Sequence, residues 1–134
     1  MSRDRVTLTV PCRAEYAKTV RMTAAALVGR AGATYDDLDD VRIAAEEVFV
    51  YACDHADQDS ELAMVFDLDD EGVDIQVRLE GAARSLDEDV ERRTAYATFI
   101  LQSVSDHFEL SSDLDGSYLK VTKRFLQEPD DAEA

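Results

Sequence analysis

Tryptophan is absent from this 134-residue chain, and cysteine, histidine and proline occur only twice each. Cys12 and Cys53 have no metal-type spacing, and they read as buried thiols of a reducing compartment rather than as a disulfide. Positive charge is scarce too: 14 Lys and Arg face 30 Asp and Glu, leaving a formal charge of −16. Phosphate recognition needs clustered cations, so nucleic acid is not an expected partner. No apolar run approaches the ~20 residues that a membrane-spanning helix needs. The opening stretch MSRDRVTLTV lacks the apolar core of a signal peptide. A soluble, cytoplasmic protein with no membrane contact is the expectation.

What is present points to a folded domain. Hydrophobic residues make up 46% of the chain, too many for a disordered segment. The length suits one domain of two packed layers around a single core, expected to span residues 1–126. Residues 127–134 carry Pro129 and four acids and read as a disordered tail. The acidic surface would steer a basic protein partner, although charge of this size also serves solubility by itself.

Periodicity gives the elements. Val6, Leu8 and Val10 alternate with Thr7 and Thr9 up to Pro11, the pattern of a half-buried strand. Over residues 14–31 the apolar positions Ala17, Val20, Ala24, Leu27, Val28 and Ala31 recur at helical steps, and Gly32 closes the helix. Asp36 or Asp37 is the expected cap of a second helix reaching about residue 56, with Leu38, Val41, Ala45, Val48 and Ala52 inward. Two strands at 61–67 and 73–79 flank the turn Asp69-Asp70-Glu71-Gly72. A loop and a third helix (88–106) follow, then a hairpin of strands 108–114 and 117–126 turning at Asp115-Gly116. The order β-α-α-β-β-α-β-β predicts a two-layer α/β sandwich, its sheet mixed but mostly antiparallel, with helices on one face.

Within this frame, residues 21–27 (RMTAAAL), Asp37-Leu38 and residues 43–56 (IAAEEVFVYACDHA) resemble the anti-sigma factor serine kinases of the histidine-kinase-like ATPase superfamily. The likeness continues through residues 73–81 (VDIQVRLEG) and 99–106 (FILQSVSD) to about Leu126, carried by element order and helix pattern more than by identities. The resemblance implies the fold of that superfamily, a second helix with a Glu general base, and an Asn four residues on that binds Mg²⁺. Positions i and i+4 share a helix face, so both side chains reach one point. Glu47 matches the base, and Tyr51 stands where the Asn belongs.

Other matched positions depart in the same direction. Leu79 replaces the Asp that accepts the adenine amino group, and only Gly81 remains of the following glycine motif. A leucine cannot accept a hydrogen bond. Ala95 and Ala97 stand for the glycines whose backbone approaches the phosphates, and alanine extends a helix where glycine would break it. The stretch between Gly81 and Ala95 is short for a lid over ATP. Tyr51 is therefore expected to fill a vacated nucleotide cavity, its ring on Val48 and neighbouring apolar groups. Glu47 becomes a vestigial base, and no metal or cofactor is expected. His55, near the helix end, reads as a cap rather than a catalytic partner, and the serines show no nucleophile motif.

Arg21 matches the family arginine that contacts the sigma factor and the anti-anti-sigma factor, and it is expected on the exposed side of the first helix. The resemblance thus implies a regulatory protein acting by binding, with a sigma factor or a STAS-domain antagonist as partner, and a homodimer. Two other readings stay open. One is an active serine kinase using ATP, Mg²⁺ and Glu47; the other is a related domain that binds some other ligand in the remodelled pocket.

Overall fold

Alternation decides the sheet. In the computed structural model, which describes residues 3–56, 59–79, 88–113 and 116–126, the strands are β1 (Asp4–Pro11), β2 (Glu61–Leu68), β3 (Gly72–Leu79), β4 (His107–Asp113) and β5 (Gly116–Arg124). A short 3₁₀ turn (Ala14–Tyr16) leads into α1 (Ala17–Arg30), followed by α2 (Tyr35–Asp54); α3 (Glu88–Val104) connects β3 to β4. The expected element order is borne out.

The strand order is β1-β2-β3-β5-β4. Each pairing among the described residues is antiparallel, where a mixed, mostly antiparallel sheet was expected. Connectivity explains the difference. The crossover through α3 leaves β4 parallel to β3, but β5 inserts between them and pairs with both.

Register places the apolar set on one face. Leu8 lies opposite Met64, Phe66 opposite Ile75, and Val77 opposite Leu119. A slip of one residue would turn that whole set to solvent. The inner face meets Val20, Ala24 and Val28 of α1 and Val41, Ala45 and Val48 of α2, all fully buried. From α3, Ala97 and Leu101 complete the layer. No helix among the described residues is long and apolar enough to cross a membrane.

Turn chemistry follows local rules. Gly32, at φ 85°, ends α1 as expected; Ala33 N–H donates to the Val28 carbonyl at 3.3 Å and Gly32 N–H to Gly29 at 3.4 Å. That left-handed closure suits glycine. In the β2–β3 turn, Asp69 Oδ1 accepts from the amides of Glu71 and Gly72 at 2.8 and 3.2 Å. A Cβ on Gly72 would lie 2.5 Å from the Lys123 carbonyl oxygen, so the close approach of β3 to β5 requires glycine there.

The second helix starts differently from the expectation. Its cap is Thr34, in extended conformation, whose Oγ1 accepts from Asp37 N–H at 3.2 Å. Asp37 is instead a fully buried carboxylate in the first turn. Its Oδ2 accepts from Leu126 N–H at 2.7 Å, and its Oδ1 lies 4.0 Å from Lys123 Nζ. The same ammonium reaches Asp40 at 3.1 Å. The reason is pairing: a carboxylate this deep needs a cation and donors, and the first turn of a helix also favours its charge. The residue that supplies the cation sits at an inward position of β5. The tail 127–134 and the turn at 114–115 lie outside the described residues.

This node predicts a large stability effect. Asp37→Ala would leave the largely covered Lys123 with Asp40 as its remaining acid and Leu126 N–H without its acceptor. Breaking one side of a buried pair costs about 3–5 kcal/mol. Urea unfolding of Asp37→Ala, Lys123→Met and the double variant should show such a loss for Asp37→Ala. The double variant should lose less than the sum of the two singles.

Candidate functional site

The site is built on one helix. α2 places Glu47, Tyr51 and His55 at four-residue steps, so their side chains stack along one face. Glu47 is half-buried. Burial, and secondarily the neighbouring Glu46 carboxylate, raises the affinity of its carboxyl for a proton. A solvated surface glutamate would show neither influence.

Tyr51 is only 5% exposed. The structure corrects the expected ring partner: the Tyr51 ring stacks on His55, with centroids 4.5 Å apart and planes at 17°. Val48 shares the core but the flat contact is with the imidazole. Burial holds the phenol proton on more tightly than usual, so Tyr51 is a neutral hydroxyl at physiological pH. His55 is the C-cap residue of α2, and its Nδ1 lies 2.7 Å from the Tyr51 carbonyl oxygen. A ring N–H donating there makes His55 the cap that the sequence suggests.

The last turn of α2 is held from outside by α3. Arg93 Nε and Nη2 donate to Asp54 Oδ2 and Oδ1 at 3.1 and 3.3 Å, a two-point contact that fixes both groups. Beyond it, Ala95 is exposed and Ala97 is buried, and both are interior residues of α3. The expectation that alanine continues the helix through these positions holds. Leu79 is buried at the end of β3; Gly81 lies outside the described residues.

Arg21 departs from the sequence reading. It is half-buried rather than on the exposed side of α1, and its Nη1 lies 2.6 Å from Glu46 Oε1. The guanidinium of α1 is thus tied to the residue beside Glu47. Met22, next to Arg21 on α1, and Ile43, three residues before Glu46 on α2, are exposed apolar side chains. Surface hollows among the described residues lie elsewhere. One runs beside the β2–β3 turn near Arg3, Asp74 and Lys120, and another lies between β1 and the end of α1 near Arg5 and Arg30. Neither is lined by Glu47 or Tyr51.

Sequence reasoning missed Glu46, Asp54, Arg93 and Lys123, and it read Asp37 as a cap rather than as a buried acid. Their partners lie 25 to 89 residues away, beyond the reach of local spacing. The one available signal was Lys123, a charge at the inward phase of a strand pattern.

A five-stranded antiparallel sheet under three helices, with an acidic residue on the face of the second helix, is the arrangement of a histidine kinase-like ATPase domain. Residues 10–123 match that domain, and the chain belongs to the family. Within it, the chain is similar to the serine-protein kinase RsbW of Halalkalibacterium halodurans, 29% identical over 92% of this chain and 85% of that protein. It is 33% identical to RsbW of Staphylococcus epidermidis over 60% of this chain, and 32% identical to that of Bacillus cereus over the same share. In these two relatives the match spans about half of the protein, 53% and 51%. The expected resemblance is borne out.

Glu47 yields a pH prediction whose sign follows from its raised proton affinity. The fold favours the neutral carboxyl, so the charged form opposes folding. That cost is absent below the ordinary value near 4.5 and grows as pH rises through the higher folded value. Glu47→Gln should therefore raise the melting temperature at neutral pH, with the gain vanishing on acidification to about pH 4. Thermal melts of both proteins across that range check it. A gain that persisted in acid would contradict it.

Proposed function

We propose that this chain is a regulatory protein of the anti-sigma type that acts by holding a protein partner, and that its nucleotide position does not hold Mg-ATP. The observation that carries this reading is Tyr51. A buried, neutral phenol stacked on His55 occupies the helix position where the family resemblance expects a magnesium ligand. Magnesium takes hard oxygen ligands in strict octahedral geometry, which a packed phenol does not supply.

The neighbouring positions agree. Leu79 offers no acceptor to an adenine amino group, and helical backbone at Ala95 and Ala97 has its amides committed within α3. The residues present do not fit Mg-ATP. Function then rests with the surface around Arg21, Met22 and Ile43, in a cytoplasmic domain of residues 1–126. A sigma factor or a STAS-domain antagonist is the partner, and the protein is a homodimer.

One observation favours a second reading, a serine kinase that takes up ATP by altered contacts. Glu47 keeps a half-buried carboxyl with raised proton affinity, a property suited to a general base. The relatives are also named as serine-protein kinases.

Isothermal titration with ATP and Mg²⁺ separates the two. The binding reading expects no heat of association at protein concentrations of about 0.1 mM, where a micromolar Kd would be plain. A Kd in that range or tighter would establish the kinase reading.

The partner surface has its own test. Arg21→Glu places two like charges at the Glu46 contact on a half-exposed site, so the fold should tolerate it with a loss of about 0.5–1 kcal/mol. An interface there would lose roughly 2–5 kcal/mol of binding. Co-purification with sigma factors and STAS-domain proteins of the same genome should fail for Arg21→Glu and survive for Glu47→Ala. The reverse pattern would move function to Glu47.

A further inference from the structure

β1 is an edge strand, and its first half is not fully covered. Val6 stands at an inward position opposite Phe66, which is fully buried, yet Val6 itself keeps partial exposure. α1 stops at Arg30 and the chain turns away at Gly32. Between the start of β1 and the end of α1 the core therefore opens into a hollow of about 810 Å³. Val6, Leu27, Ala31 and Leu68 give it apolar walls. Small-ligand sites occupy about 300–1,000 Å³ and have the same make-up, apolar walls with a few polar groups.

The charges at the hollow decide its ligand. Asp4 of β1 and Asp69 and Asp70 of the β2–β3 turn stand against Arg5 and Arg30. Arg5 is committed to Asp67, its Nε and one Nη lying 2.8 and 3.0 Å from the two carboxylate oxygens. Asp69 accepts from the amides of its own turn and has Arg3 at 3.8 Å. Arg30 sits in the last turn of α1, where the negative end of the helix offsets its charge. Asp4 and Asp70 thus leave the mouth net negative above an apolar floor. We propose that this hollow is a binding site for a small amphipathic cation, an apolar chain or ring that carries an ammonium group.

The two halves of such a ligand have separate places. Its apolar part lies on Val6, Leu27, Ala31 and Leu68, and its ammonium stays at the mouth near Asp4 and Asp70. A carboxylate on the same apolar body would meet like charge there. The ligand would also add a link that the fold lacks. α1 packs on α2 rather than on β1, so a molecule seated across the hollow ties α1 to the edge strand and stabilises the folded chain by mass action. Glu47, Tyr51 and Arg21 take no part in the hollow. The site therefore stands whichever function those residues serve.

The test uses the full chain and two matched probes, octylammonium and octanoate, followed by amide NMR. Octylammonium should bind saturably at low salt with a Kd of about 1 mM, shifting the amides of Val6, Leu27, Ala31 and Leu68. Octanoate should bind about 10-fold more weakly, and added salt should narrow the gap. Asp4→Asn with Asp70→Asn should weaken octylammonium by about 5-fold and leave octanoate no weaker. Ala31→Trp should fill the hollow and block both probes. If that variant fails to fold, the comparison of the two probes on the wild type still decides. Equal affinity for the two probes, shifts confined to other surfaces, or no saturation by about 10 mM would each overturn the assignment. So would tighter binding of the amide of acetyl-leucyl-lysine than of octylammonium, which would make the hollow a docking surface for a protein.

Discussion

Everything in this molecule is arranged around the burial of one side of α2. That helix packs on α1 and α3 laterally and on β2, β3 and β5 below. Val41, Ala44, Ala45, Val48, Phe49 and Ala52 form its inner stripe, with almost no exposure. Alanines at three of these positions let the helix sit close to the sheet, and Phe49 fills the space that remains. Interiors pack at the density of organic crystals, so a helix this central cannot shift without disturbing each neighbour. The register of the sheet and the placement of α1 and α3 both follow from accommodating it.

The two ends of α2 solve different problems. At the start, a carboxylate is carried fully inside and met by Lys123 and the Leu126 amide, which pins the chain leaving β5 onto the first turn. Such a pair adds little net stability over an apolar one, yet it punishes any other arrangement of the segment. At the far end, the tyrosine ring, the capping imidazole and the Asp54–Arg93 contact close the helix against α3. A side chain as large as tyrosine buries substantial area, and here that area is spent on closing the last turn of α2.

Legibility tracks sequence distance. The strands were readable because alternation at period two is written within five or six residues, as in Val73, Ile75 and Val77 against Asp74 and Gln76. The third helix was readable through Ala95 and Ala97 because helix propensity is local. Thr34 was passed over for Asp36 and Asp37 because all three are good caps, and only the tertiary need for a buried acid separates them. The antiparallel character of the sheet hinged on whether β5 inserts between β3 and β4, which no local pattern encodes. Arg21 was placed on the correct helix, but its partner Glu46 was not legible, since it comes from a helix that packs alongside.

The Arg21–Glu46 contact also limits what a short distance means. An Arg–Glu contact of 2.6 Å looks strong, but both side chains keep about a third of their exposure, 34% and 31%. Water and salt screen a pair in that position, and its net worth falls to ~0–1 kcal/mol. The contact therefore orients the guanidinium more than it holds the two helices together; the apolar stripe does that. Orientation is what a planar, five-donor group needs in order to meet a second carboxylate with two hydrogen bonds. Because the existing bond is weak, exchanging Glu46 for another acid costs little, whereas an arginine free in solvent would first have to be ordered. A half-buried ion pair at the rim of two helices thus holds an arginine already oriented, where an arginine free in solvent would be disordered.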